Sequence, residues 1–177
     1  MMLTQIVLAV VVLVAALLAY AATRPGSLHV ERSTAVTATP DAVSPFINDF
    51  HRWHAWSPYD TRDPDMKRVF SGAAAGKGAV YEWNGNNKVG QGRMEIIDTQ
   101  PSRITIKLDF MRPFEGHNIA SFALQPSGGL TTVTWSMDGP TRYVGKLMGI
   151  FINMDKMIGK DFETGLANLK NLAETRS

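Results

Sequence analysis

Between Met66 and Met137 the chain falls six times into a period-two pattern, and this limits its fold more than any other feature. The segments are Met66 to Ser71, Ala79 to Trp83, Gly92 to Asp98, Arg103 to Met111, Asn118 to Gln125 and Thr131 to Met137. Between them lie SGAAAGKG, NGNNKVG, TQPS, RPFEG and PSGG, all rich in residues that turn a chain. The spacing suits an antiparallel meander.

The flanks complete the pattern. Ser27 to Thr39 alternates loosely and reads as one more strand, stopped at Thr39-Pro40. Pro40-Asp41 then opens a short helix through about Phe50, with Asp41 in the first turn where the helix dipole favours an acid. Ser57-Pro58 ends any helical run. From Tyr143 to about Glu174 apolar residues recur at helical spacing, among them Val144, Leu147, Met148, Phe151, Ile152, Met154, Ile158, Phe162, Leu166 and Leu169. A long amphipathic helix laid across a strongly bent antiparallel sheet buries both apolar faces, which makes the soluble part an α+β fold.

Bulk composition excludes several classes. The 177 residues suffice for one domain with a sizeable core. A 45% apolar and 19% charged content is that of a globular protein. The net charge is +2 with no run of Lys or Arg, which argues against nucleic acid as partner. The absence of cysteine removes disulfides, thiolate metal sites and a Cys nucleophile.

Ahead of the strands lies MMLTQIVLAVVVLVAALLAYAATRPG, uncharged from Ile6 to Ala22 and about long enough to cross a hydrocarbon core. Its length favours an uncleaved, single-pass membrane anchor. The alternative is a signal segment, for which Ala19-Tyr20-Ala21 supplies a small-x-small site although no basic residue precedes the run. Arg24 and Arg32 follow it, which by the positive-inside rule places the soluble domain on the cytoplasmic side. Two residues leave the periplasmic side open; in a bacterium the membrane would be the inner one. Arg24-Pro25-Gly26 breaks the helix and begins a linker.

Most chemical motifs fail on context. His51 and His54 stand at i, i+3 in FINDFHRWHAWSPYD, but a metal would need a third ligand and only His117 offers one. They are read as surface or packing residues, with no metal and no cofactor expected. GAAAGKG lacks the spacing and the Ser/Thr of a phosphate loop and is read as a flexible inter-strand loop. Asp60, Asp63 and Asp65 do not follow a calcium-loop pattern and are read as a solvated loop.

Strand alternation then sorts the faces. Ile104, Ile106, Leu108 and Phe110 share one face of their strand, and Val133, Trp135 and Met137 share one face of theirs. Met94 with Ile96, Phe122 with Leu124, and Tyr81 with Trp83 behave alike, and charged residues fall opposite. The inward polar groups are Tyr81, Asn118, the indole nitrogens and His117 at a strand end. No carboxylate pair and no Ser-His-Asp set converges there, which favours holding a molecule over transforming it.

The order of elements, with FINDFHRWHAWSPYD, YEWNGNNKVGQGRMEI, IKLDFMRPFEGHN, TTVTWSMDG and MDKMIGKDFETGLANLK, resembles the START-like (Bet v 1-like) superfamily of SRPBCC proteins. Within it the chain is most similar to the polyketide cyclase/dehydrase and lipid-transport group. The resemblance implies a helix-grip fold: a seven-stranded curved sheet wrapped around the C-terminal helix, with a hydrophobic cavity between them. It divides the chain into an anchor or signal segment (1–23), a linker (24–27) and a START-like ligand-binding domain (28–177). The expected ligand is an apolar small molecule, lipid-, isoprenoid- or polyketide-like. The expected lining is Trp53, Trp56, Tyr81, Trp83, Met94, Ile106, Leu108, Phe110, Phe122, Trp135, Met148, Phe151 and Ile152, with Trp53 and Trp56 at its lid or mouth. Two alternatives stay open: a cyclase or dehydratase using Tyr81, His54 or His117, and a protein-interaction module with no ligand.

Overall fold

The computed structural model describes residues 2–175. Helix α1 (Met2–Thr23) is followed by strand β1 (Ser27–Val36), helix α2 (Pro40–Asn48) and a 3-10 turn, Phe50–Ala55. Six strands come next: β2 (Lys67–Gly72), β3 (Ala79–Asn84), β4 (Gln91–Gln100), β5 (Arg103–Arg112), β6 (Gly116–Ser127) and β7 (Leu130–Pro140). Two helices close the chain, α3 (Tyr143–Phe151) and α4 (Met154–Thr175).

All seven strands form one antiparallel sheet in the order β1-β7-β6-β5-β4-β3-β2. Register shifts at Gln91/Gly92 and Ile96/Asp98 leave Met111 of β5 and Ile97 of β4 as extra residues, and such irregularities increase local twist and bend the sheet. Burial alternates along the strands as the sequence pattern requires, with Ile104, Ile106, Phe122, Leu124 and Val133 fully buried on the concave face. The architecture is the expected helix grip.

Helix α4 lies across that face because its buried stripe, Phe162, Leu166, Leu169 and Ala173, recurs at helical spacing. Phe162 stacks on Trp135 with ring centroids 4.0 Å apart and planes 8° from parallel. Gly165 permits this approach: a Cβ there would meet Trp135 at 2.8 Å and Pro58 at 3.2 Å. The helix also covers the open edge of the sheet. Lys170 Nζ donates to the Ala35 carbonyl (2.8 Å), and Glu174 accepts from the Thr37 backbone N–H (2.7 Å). Backbone groups of the β1 edge that would otherwise invite another strand are thus partly occupied.

Three sequence expectations need correcting. The C-terminal helix is two helices, broken at Ile152 and Asn153. The cause is a cap: the Asn153 side chain accepts the Lys156 backbone N–H at 2.9 Å and starts α4 afresh. The acidic loop is not simply solvated. Asp60 pairs with Arg68 at 2.7 Å with its side chain 8% exposed, and buried Asp63 accepts the Asn86 backbone N–H at 2.7 Å. Nor is the Gly72–Gly78 loop free, since Gly76 N–H donates to the Asn48 carbonyl and Gly78 N–H to that of Ile96.

Helix α1 stands apart from this core. Only 6% of its most apolar window is buried, so the domain leaves most of its side chains uncovered. Among the described residues it alone is long and apolar enough to cross a membrane.

The Trp135–Phe162 contact gives a direct test. Gly165→Val drives a side chain against Trp135 and Pro58, pushing α4 off the sheet, and should lower unfolding stability by about 1–3 kcal/mol, the usual cost of overpacking. Urea denaturation of the full chain in detergent measures it.

Candidate ligand cavity

The sequence places its aromatic residues in the grip, and the structure shows how tightly they close it. Trp53 and Trp56 lie 4.8 Å apart and meet Phe122 and Trp135 edge-on. Their indole nitrogens donate to the Ile47 and Phe46 carbonyls at 2.9 and 3.0 Å. Trp83 donates likewise to the Val89 carbonyl at 3.0 Å. Trp53, Trp56, Tyr81, Trp83, Met94, Ile106, Phe122 and Trp135 are all buried in one apolar cluster, with Leu108 and Phe110 packed against it. Ten of the thirteen residues expected to line a cavity therefore form continuous core in this structure.

The remaining three, Met148, Phe151 and Ile152, belong to a different place. They line a half-open cavity of about 810 Å³ beneath α3, at the end of the sheet where β1 begins, β7 ends and β6 begins. Leu28, Phe114, Val144, Ile150 and Met154 add apolar walls, and the linker residues Arg24 and Pro25 close one side. Phe110 connects the two regions, since its ring lies against Gly116 on the cavity wall. Volumes of about 300–1,000 Å³ with mostly apolar walls are typical of small-molecule sites.

The rim is charged and internally paired. Arg142 donates to Glu115 at 2.7 Å and holds that carboxyl below its ordinary range. At the joint between α3 and α4, Arg32 of β1 forks to two carboxylates. It reaches Glu163 at 2.8 Å and both oxygens of Asp155 at 3.0 Å. The hydrogen bonds from Arg32 lower the Asp155 pKa. Gly159 faces the guanidinium, and any side chain there would occupy its position. The latch therefore fixes the start of α4, while α3 beyond it has no buried residue.

The groups weighed for chemistry are dispersed. His117 does not face the grip as its strand-end position suggested. It pairs with Asp109 at 2.7 Å and lines the edge of the cavity beneath α3. Burial pushes the Asp109 carboxyl up, but hydrogen bonds from His117 and Lys107 outweigh it and hold the pKa down. His54 is exposed and bonded to the His51 carbonyl at 2.7 Å, while His51 stacks on Phe70. Tyr81 lies in the core between Phe70 and Trp83. Its hydroxyl makes no hydrogen bond of normal geometry, and burial with the Asp60 charge pushes its pKa up to about 12. Trp135 Nε1 is likewise buried without an acceptor.

Sequence reasoning placed Met148, Phe151 and Ile152 on one long helix across the grip and missed the walls from Leu28, Phe114 and the linker. Asn153-Met154-Asp155, an N-cap followed by an acid in the first turn, was the readable sign that the helix restarts. No pattern in the sequence brings Phe114 beside Phe151, because that depends on sheet closure.

The comparisons agree with this architecture. The family model described as "Polyketide cyclase / dehydrase and lipid transport" matches residues 27–174. Among solved structures, the di-domain ARO/CYC StfQ from the steffimycin biosynthetic pathway is 10% identical with a TM-score of 0.61. It aligns over 85% of this chain and 51% of its own, so this chain spans about half of it. Protein CV1439 from Chromobacterium violaceum is 16% identical (TM-score 0.58; 85% of this chain, 99% of its own). The Aha1 dimer from Colwellia psychrerythraea is 12% identical (TM-score 0.58; 83% and 96%). At such identities the likeness is one of fold. No curated protein matches the sequence.

The Arg32 latch has a pH signature. The folded-state pKa of Asp155 is depressed, so its contribution is complete above the ordinary carboxylate range, about pH 4, and is lost as pH falls through the lower folded value. Amide protection over residues 153–160 should therefore drop on acidification, whereas Arg32→Met should show the weakened protection already at neutral pH. Hydrogen-exchange protection factors read both.

Proposed function

Because the chain belongs to the polyketide cyclase / dehydrase and lipid transport family, we propose that it holds an apolar small molecule in the cavity beneath α3. The ligand is lipid-, isoprenoid- or polyketide-like, and α1 serves as a single-pass anchor beside the bilayer that supplies it. The observation that carries this reading is the position of the cavity. Some 810 Å³ of mostly apolar space lies against the linker that leaves an apolar helix of 22 residues. A helix of that length spans about 33 Å, enough for a hydrocarbon core.

In this reading Met148, Phe151 and Ile152 touch the ligand. Gly116 lines the inner wall with the Phe110 ring behind it, and the aromatic cluster beyond gives a rigid floor. Methionine suits such a wall because its side chain adapts to varied shapes. The paired charges at the rim favour a ligand with an apolar body and a polar end. With Arg24 and Arg32 following α1, the domain stands on the cytoplasmic side.

A second reading is cyclase-type chemistry on a ligand that enters the aromatic interior instead, and the buried Tyr81 hydroxyl without a partner is what favours it. Its raised pKa keeps the buried hydroxyl protonated, so it would donate a hydrogen bond or a proton rather than act as base. Tyr81→Phe would then stop turnover while leaving binding intact.

Filling the cavity tests the first reading. Gly149 lines it, and a Cβ there meets no atom within 4 Å, so Gly149→Trp adds bulk without disturbing the core. Native mass spectrometry of the gently purified full chain should show a discrete apolar adduct that leaves on organic extraction. Gly149→Trp should reduce its occupancy about tenfold, or ~1.4 kcal/mol. An adduct retained unchanged by the variant would place the ligand elsewhere; no adduct in either protein, even after incubation with lipid extract, would remove the reading.

A further inference from the structure

The apolar surface around the cavity mouth is too exposed for a domain that meets only water. Phe151 is 73% exposed, Phe114 58%, Val144 54% and Ile152 40%, and all four line the same opening. Helix α3, which carries two of them, buries no residue in the domain. Yet it is not loose, because it packs on α1. The Tyr143 hydroxyl donates to the Leu18 carbonyl at 2.7 Å, and Ala21 of α1 is fully buried.

This contact fixes a depth. If α1 crosses a bilayer, Arg24 marks where it leaves the hydrocarbon, and Leu18 lies six residues back along the helix. At 1.5 Å per residue that is about 9 Å inside, within the 5–10 Å at which interfacial helices bury their apolar faces. The charges fit the same level. Lys146 of α3 reaches back so that its Nζ lies 4.0 Å from the Cβ position of Gly26 in the linker, next to Arg24. A lysine whose stem runs along apolar surface while its ammonium returns to the interface is snorkelling. Arg24 and Lys146 stand where lipid phosphates would be, while Arg142 is engaged by Glu115.

We infer that α3 and the β5–β6 turn form a membrane-docking face: they lie in the same bilayer leaflet that α1 leaves, with Phe114, Val144, Phe151 and Ile152 among the acyl chains. The cavity mouth then opens sideways into lipid, and its ligand enters laterally from the bilayer without crossing water. The inference rests on α1 being the anchor of the preceding section. The committed partner is a lipid bilayer, because α1 supplies both its position and its depth.

The absence of cysteine makes the test direct. Single variants Phe151→Cys, Val144→Cys, Ser127→Cys and Val10→Cys of the full chain are labelled with NBD. They are reconstituted in phosphatidylcholine–phosphatidylglycerol vesicles with or without lipids brominated at a shallow or deep acyl position. Ser127 lies at the opposite end of the sheet, on the β6–β7 turn, and reports the aqueous background. The expected result is strong quenching at 151 and 144 by shallow bromines, quenching at 10 by bromines of the opposite leaflet, and none at 127. Quenching at 10 with none at 151 and 144 would overturn the docking face and leave the anchor standing. A blue-shifted but unquenched probe at 151 would mean a protein covers this surface, and also overturns it. No quenching at 10 would remove the anchor and the inference together.

Discussion

The stack of Phe162 on Trp135 is the contact on which the rest of the molecule depends. It brings α4 against the concave face at β7, beside the β1 edge, and Gly165 makes the approach close. Trp53, Trp56 and Phe122 then complete a wall of rings around it. Aromatic pairs in edge-on and stacked geometry add to the area they bury, so this part of the grip has strong reasons to stay shut. With the middle filled, the space under the C-terminal region is displaced to the end of the sheet, beneath α3.

The break between α3 and α4 lies at the rim of that space. Asn153 caps the new helix, and Arg32 clamps its first turns to β1 through Asp155 and Glu163. One side of the joint is thereby part of the core. The other side, α3, is held by α1 and by little else in the domain. A segment with few buried contacts opens at lower cost than a core helix. The family likeness accounts for the grip itself, while the short helix α3, tied to the apolar N-terminal helix, lines the cavity.

Much of this was legible in the sequence, for definite reasons. Period-two alternation in RITIKLDFM and TTVTWSM identified strands and their inward faces, because one face of each is buried and the other is not. The C-terminal stripe of Phe162, Leu166 and Leu169 identified the gripping helix. What failed were judgements that depend on three-dimensional company. Asp60 and Asp63 looked solvated until Arg68 and the Asn86 N–H were seen to satisfy them. Which inward-facing residues enclose space, and which fill it, is likewise a matter of closure that no spacing records. Trp135 and Met148 carry the same apolar signal, yet one is stacked in the core and the other lines the cavity.

The central claim is that ligand occupies the space beneath α3 and not the aromatic interior. Photo-crosslinking tests it most directly, using a diazirine-bearing fatty acyl probe on the full chain in vesicles, followed by peptide mapping of the adducts. The account expects adducts on residues 144–154 and 114–117, lost when Gly149 is replaced by Trp. Adducts confined to the peptides carrying Trp53, Trp56, Phe122 or Trp135 would contradict it, because they would require the aromatic wall to open.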